Sequence, residues 1–396
     1  MDKVLDVLII GGGPAGATTG LLLAQEGWSV GIVEKKDFPR RKVCGEFISA
    51  TNLALLQKLG IADFYFSVSG PEIQRVGLYA AETILATKMP TLNHASKKWG
   101  RALGREHLDT ALLNRAAQLG AIIWQPGLVQ NVQHHAGLFT CTLNVDDKVE
   151  EISARLVIMA NGSWEGGPLP SKENSHKPSD LLAFKAHFRN CDLAPDLMPL
   201  IAFPGGYGGL VHSDNGRVSL SYCIRRDVLQ GVRQQHRGMQ AGDASLNYIR
   251  AECLGVRQVL TPSQREGSWL SCGPIRPGIR QCYNEGIFFV GNSAGEAHPI
   301  VAEGISMAMQ SAWLLSQILI RRQKDMSTEK GRLAVGKEYS KQWHKHFATR
   351  IHAAALFAQI AMRPWSQATM LLLVKRFPVL LTFGAKLSGK IRQVVA

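Results

Sequence analysis

The chain opens with an apolar run, Val4-Leu5-Asp6-Val7-Leu8-Ile9-Ile10, that passes directly into Gly11-Gly12-Gly13-Pro14-Ala15-Gly16. A helical pattern follows over residues 17–26, and a second apolar run over 29–33 ends on Glu34. Strand, G-x-G-x-x-G turn, helix, strand and acid in this order form the full βαβ dinucleotide fingerprint. The glycines allow a tight turn and a close approach of backbone to a pyrophosphate, which then rests on the helix N-terminus. Glu34, 18 residues beyond Gly16, stands near the spacing at which a carboxylate accepts from an adenosine ribose hydroxyl. The plainer reading is a glycine-rich turn in some other α/β protein. The register of all five parts favours dinucleotide binding.

At 396 residues the chain can hold two domains, or one large cofactor domain with insertions. Seven cysteines, Cys44, Cys141, Cys191, Cys223, Cys253, Cys272 and Cys282, form no CxxC pair. Neither a disulfide framework nor a metal site is expected, and a reducing cytoplasm is the expected location. Met1-Asp2-Lys3 leads straight into the first strand without a signal-peptide pattern.

The net charge of +14 is unevenly spread, because residues 320–396 hold 15 Lys and Arg against 3 acids. Apolar stretches at 353–358, 370–374 and 377–381 interleave with that charge. None reaches the roughly 18 apolar residues of a membrane-spanning helix. Basic amphipathic helices carrying Trp365, Phe377 and Phe383 suit an anionic membrane surface or a greasy substrate entrance. The alternative is a helical cap whose Lys and Arg are solvated. No nucleic-acid motif accompanies the charge, so nucleic acid is not an expected partner.

Further along, Gly104-Arg105-Glu106-His107-Leu108-Asp109 opens a helix that ends at Gly120 and leads into a strand at 121–124. A strand at 154–159 closes on Ala160-Asn161-Gly162-Ser163. A buried strand near Phe288 is followed by a polar turn holding Gly291-Asn292 and His298-Pro299, then Ile300-Val301-Ala302-Glu303-Gly304-Ile305 and a helix. The backbone N–H groups at that helix start, with its dipole, can stabilise negative charge on a bound ring.

Together these motifs resemble the FAD-dependent monooxygenases of the para-hydroxybenzoate hydroxylase type, in the branch shared by geranylgeranyl reductases and flavin halogenases. The resemblance runs from about residue 4 to about 320. It implies an α/β fold: a Rossmann-like FAD-binding domain of the glutathione reductase type over 1–75, 100–165 and 275–330. An inserted antiparallel β-sheet substrate domain would occupy 76–99 and 166–274, and a basic amphipathic helical region 331–396. Alternating apolar positions in 73–89 and 182–273 read as strands of a sheet roofing the substrate pocket, with loops at Gly166-Gly167-Pro168 and 171–179.

The same resemblance assigns a cofactor set. Gly11, Gly13, Pro14, Ala15, Gly16 and Glu34 would hold the ADP half of FAD, and Arg105 would reach the pyrophosphate and ribityl chain. Lys35, Lys42, Val43, Cys44, Gly45 and Val129 would also border FAD. Asn161 and Gly162 fall where the family writes Ala-Asp-Gly, and Asn292 falls where it writes Gly-Asp. Both departures keep an acceptor and lose a charge. Pro299, Glu303, Gly304 and Ile305 match P-x-x-G-E-G-I beside the isoalloxazine, with Ala302 replacing its first glycine.

Cys44 in Arg41-Lys42-Val43-Cys44-Gly45-Glu46 either faces the ring or is a small packing residue. His298 either meets substrate or relays a proton, or is satisfied by backbone, and His212 is a weaker candidate of the same kind. Pro204 and Tyr207 agree with the reductase pattern P-x-x-Y-x-W-x-F-P, whereas Gly209, Val211 and His212 replace its Trp, Phe and Pro. The halogenase motif W-x-W-x-I-P is absent. Catalytic candidates are therefore Cys44, Tyr207 and His298.

The resemblance implies that NAD(P)H, docking transiently because no second nucleotide fingerprint exists, reduces the FAD. Oxygen then adds at flavin C4a and the hydroperoxide hydroxylates an apolar aromatic, polyketide or lipid-like substrate. Two alternatives stand beside this: a reductase saturating a polyprenyl or fatty chain, and a flavoprotein modifying or escorting a partner protein.

Overall fold

The computed structural model describes residues 4–91, 99–162, 168, 176–391 and 394. Ser163, Gly166-Gly167 and residues 171–175 of the expected loops lie outside them. Leu5–Ile10 is almost wholly buried, as an unbroken apolar run requires of a central parallel strand. It pairs in parallel with Val30–Val33 on one side and with the later half of Lys148–Met159 on the other. Ile122–Trp124 and Ile287–Phe289 extend the sheet at either side, again in parallel. Gly127–His135 and Leu138–Val145 form an antiparallel meander with the first half of Lys148–Met159.

The helix of the fingerprint runs Pro14–Gln25, beginning earlier than its apolar periodicity indicates. Pro14 sits in its first turn, where a missing N–H leaves no bond unmade. Helices Arg105–Gln118 and Gly304–Arg321 pack against it.

A second sheet has the spatial order 264–275, 181–189, 218–225, 206–212, 197–203, 75–80, 83–88 among the described residues. Its neighbours are antiparallel except Arg75–Ala80 with Leu197–Phe203, which run parallel. Alternation alone reads as antiparallel; here no hairpin joins the two strands, so no turn sets their relative direction. Period-two alternation then divides each strand. Leu197, Ile201, Phe203, Leu210, Leu220, Tyr222 and Ile224 point outward into one apolar layer. Met198, Leu200, Tyr207, Gly209, Val211, Ser221 and Cys223 point toward the first sheet.

The outward layer is covered by helices Arg226–Gln235, Ala241–Glu252 and Leu254–Leu260, inside a stretch read from sequence as strands. Leu229 and Val232, Leu246 and Ile249, and Val256, Val259 and Leu260 recur at helical spacing and insert into that layer.

The C-terminal region forms helices Glu329–Met362, Pro364–Arg376 and Val379–Leu387. Thr328 caps the first by accepting from the Gly331 amide. Val335, Tyr339, Trp343, Phe347, Ile351, Ala354 and Ala358 make a stripe that joins the main core. This helix is a structural cap, and Pro364 starts a new one. Among the described residues no single helix is long and apolar enough to cross a membrane, and the last two are bent by 115°.

Candidate active site

One continuous cleft of about 1910 Å³, its open mouth included, runs from the glycine turn to the inner face of the second sheet. Gly11, Gly13, Pro14, Ala15, Glu34, Lys35, Lys42, Val43, Cys44, Gly45, Arg105 and Val129 line it, followed by Asn161, Gly162, Tyr207, Asn292, Pro299, Gly304 and Ile305. Of the assigned cofactor and catalytic residues, Gly16, His298 and Glu303 do not line it. Gly16 lies beneath the turn, His298 reaches the cleft wall only through Tyr207, and Glu303 turns its carboxylate behind the loop.

At the glycine end the turn has no room for side chains. A Cβ on Gly16 would lie 1.8 Å from the Gly11 carbonyl oxygen, and one on Gly11, at φ 111°, 2.5 Å from that of Ala160. The buried Glu34 carboxylate accepts from the Gly12 amide at 2.9 Å and from the Lys36 amide at 3.0 Å. Arg40 stands 3.6 Å from it, and with Lys35, Lys42 and Arg105 makes this end cationic. Positive charge, free helix N–H groups and one anchored acid are what a pyrophosphate and a ribose diol require.

Arg105 is buried and donates twice to Asp109, both at 2.7 Å, which fixes its guanidinium at the cleft wall. Burial alone would lower its pKa, but Asp109 and then Cys44 outweigh this and hold it above the ordinary value. Cys44 therefore sits on the cleft beside a cation, and its sulfur also accepts from the Glu46 amide at 3.4 Å. The two asparagines are each hydrogen-bonded to a neighbouring side chain at the cleft wall. Asn161 Oδ1 accepts from Ser293 at 3.2 Å, and Asn292 Nδ2 donates to Glu296 Oε1 at 3.1 Å.

Ala302, in place of a glycine, adopts the left-handed conformation at φ 51° and ψ 43°, a geometry that costs an L-residue roughly 1–2 kcal/mol. Beyond it, a Cβ on Gly304 would meet nothing within 4 Å, so backbone is open to the cleft where the helix Gly304–Arg321 begins. A cradle closed to side chains at one end and open to backbone approach at the other fits an extended dinucleotide such as FAD.

At the far end, Tyr207 on the second sheet shares a 2.9 Å hydrogen bond with His298 Nδ1. Burial drives the phenol well above its ordinary pKa and the imidazole down to about 4. Both are neutral at neutral pH. His212 instead has Nε2 at 2.8 Å from the Leu193 carbonyl oxygen, which satisfies it outside the cleft. Met198, Leu200, Gly209, Val211 and Ile300 make this end apolar.

Sequence reasoning missed the charge buried under the cleft. Glu46, itself at φ 64°, binds the Lys185 ammonium and lies 3.1 Å from His187 Nε2. Burial raises the Glu46 pKa, but Lys185 and His187 overcome this and hold the carboxyl far below its usual range. The signal was present in Leu181–Arg189, where Lys185 and His187 fall two apart on the cleft-facing side of an otherwise apolar strand. Glu106, His107 and Asp214 gather at metal-ligand spacing, but Arg217 already binds both carboxylates.

Comparison with known proteins places this geometry. The family model described as "FAD binding domain" matches residues 4–331. Conditioned medium factor receptor 1 of Dictyostelium discoideum is 22% identical, covering 98% of this chain and 74% of that protein. Digeranylgeranylglycerophospholipid reductase 2 of Methanothermobacter thermautotrophicus is 24% identical, covering 90% and 87%. Squalene epoxidase 5 of Arabidopsis thaliana is 20% identical, covering 81% and 61%. Among solved structures, a flavin-dependent brominase superposes with a TM-score of 0.75 at 18% identity, covering 98% of this chain and 94% of that one, which shows the shared fold. From its glycine turn to beyond the helix that follows Pro299, the chain thus belongs to the FAD binding domain family, as a FAD-dependent oxidoreductase of the para-hydroxybenzoate hydroxylase type.

Proposed function

We propose that the protein is an NAD(P)H- and oxygen-using monooxygenase that acts on an apolar, lipid-like substrate. The observation that carries this reading is the polarity gradient of one cleft. Its cationic side chains, Lys35, Arg40, Lys42 and Arg105, gather at the glycine end, and its far end is walled by Met198, Leu200, Gly209, Val211 and Ile300. Gly209 and Val211 stand where the reductase pattern writes aromatic residues, and both face the cleft, so the space those rings would fill belongs to substrate. The squalene epoxidase relative is the comparison in keeping with this choice.

Bound FAD would supply electron transfer from the nicotinamide and activation of oxygen. The chain's own residues bind, orient and exclude water. Glu34 would accept from the adenosine ribose, and Arg105, locked by Asp109, would face the phosphates. Gly304 and Ile305 would present backbone N–H groups to the ring. Tyr207 and His298 would present a neutral, hydrogen-bonded pair at the substrate end. The apolar walls keep water from the reacting centre.

The same reading extends to a membrane. Trp365, Leu372, Phe377, Val379 and Phe383 are exposed by 52–72%, beside Arg363, Lys375, Arg376 and Lys386. The inner side of helix Val379–Leu387, at Leu381 and Ala385, joins the apolar cluster that includes Met198 and Val211. An anionic bilayer would take the outer face, and the substrate would enter beside it.

The test is turnover under ¹⁸O₂ with NADPH and a phenolic lipid or squalene. One labelled oxygen in the product supports the monooxygenase. Unlabelled, saturated product formed without oxygen from a polyprenyl substrate transfers the protein to the reductase reading. The reductase relative and the placement of Cys44 at the cleft favour that second reading.

A further inference from the structure

The family match ends at residue 331, yet a residue far beyond it reaches the back of the loop that joins Pro299 to Gly304. After helix Val379–Leu387 the chain turns inward at Gly389, with φ 101°. A Cβ there would lie 2.5 Å from Arg350 Nε, so the turn has no space for a side chain. Lys390 follows and is only 6% exposed. Its ammonium donates to the Val301 carbonyl at 3.0 Å and to Glu303 Oε1 at 2.9 Å, and lies 4.7 Å from the centre of the Phe47 ring. Glu303 is fully buried, with its second oxygen 3.5 Å from Ser49 Oγ.

The loop between Pro299 and Gly304 therefore has two faces. Pro299, Ile300, Ala302 and Gly304 line the cleft, while the Val301 carbonyl and the Glu303 carboxylate are held from behind by one lysine. We propose that Lys390 is a positioning residue of the FAD site. It fixes the left-handed turn at Ala302 and the start of helix Gly304–Arg321, so that the C-terminal strap is a working part of cofactor binding. The proposal rests on the reading that this loop borders the flavin. The pair is net neutral, so its effect is geometric: the ammonium satisfies a carbonyl and a carboxylate that would otherwise be buried without it.

The experiment is titration of full-length apoprotein with FAD, followed by flavin fluorescence and by visible circular dichroism of the bound ring. It compares wild type, Lys390→Arg, Lys390→Met and the double variant Lys390→Met with Glu303→Met. The double variant removes the unpaired buried charge that threatens folding in the single one, and its thermal unfolding is measured alongside. The clamp predicts FAD binding about tenfold weaker in the double variant, as for loss of one charged hydrogen bond, with an altered visible dichroism. Lys390→Arg should recover part of the affinity. A double variant with wild-type FAD affinity and dichroism overturns the clamp and leaves the pair a packing feature. Failure of the wild type itself to bind FAD would instead overturn the reading of the cleft.

Discussion

The Tyr207 hydroxyl lies 2.9 Å from His298 Nδ1, joining a strand of the second sheet to the loop that precedes Pro299. Because burial keeps both groups neutral, they share a single proton instead of forming an ion pair. Tyr207→Phe removes the hydroxyl and keeps the ring. If the pair positions substrate or moves a proton, turnover of the apolar substrate should fall by about tenfold or more, with FAD content unchanged. Equal kcat and KM in the variant would assign the pair to packing.

His298 also gives the acid limb of stability a direction. Its pKa is about 4 in the folded protein against 6.5 as the reference. Between those values the unfolded chain takes up a proton that the folded chain does not. Stability should therefore be intact above pH 6.5 and decline as pH falls toward 4. His298→Gln should flatten that part of a plot of Tm against pH, and an unaltered slope would place the acid sensitivity elsewhere.

Glu46 and Lys185 are both fully buried. Glu46→Gln leaves an ammonium without its counter-charge, and urea unfolding should show a loss of about 3–5 kcal/mol. Replacing both residues by Leu and Met should cost less than either single change. A single variant as stable as wild type would contradict the burial of that charge.

Asn292 falls where the resemblance read from sequence implies Gly-Asp, so Asn292→Asp reads from sequence as a restoration. The structure predicts the opposite, because Asn292 Nδ2 donates to Glu296 Oε1 and a carboxylate there would face a carboxylate. Asn292→Asp should destabilise by about 1–3 kcal/mol and retain FAD less well through gel filtration. Adding Glu296→Gln should reverse most of the loss, since its amide can donate to the new acid. Improved FAD retention in Asn292→Asp alone would show that Glu296 is not the residue that opposes it.

The βαβ unit was legible because its information is local. Gly11 needs φ 111° and Gly16 needs space, and both demands arise within the turn itself. The strand-end position of Glu34 follows from counting along one helix and one strand, and the structure adds its hydrogen bond to the Gly12 amide. Helices Arg226–Gln235 and Ala241–Glu252 were hidden because their apolar positions sit among strands of similar composition, and only the layer they cover distinguishes them.

The amino-acid sequence by itself determined the glycine turn, the parallel strands around it, the acid at the end of Val30–Val33 and the basic character of the tail, because turn sterics, side-chain period and charge act over a few neighbouring residues. The tertiary structure decided which distant groups meet: Glu46 with Lys185 across 139 residues, Tyr207 with His298 across 91, and Glu303 with Lys390 across 87. Those meetings depend on how two sheets face one another and how the last helix turns back on the core. Sheet register and long-range packing set them, and no local pattern encodes the partner.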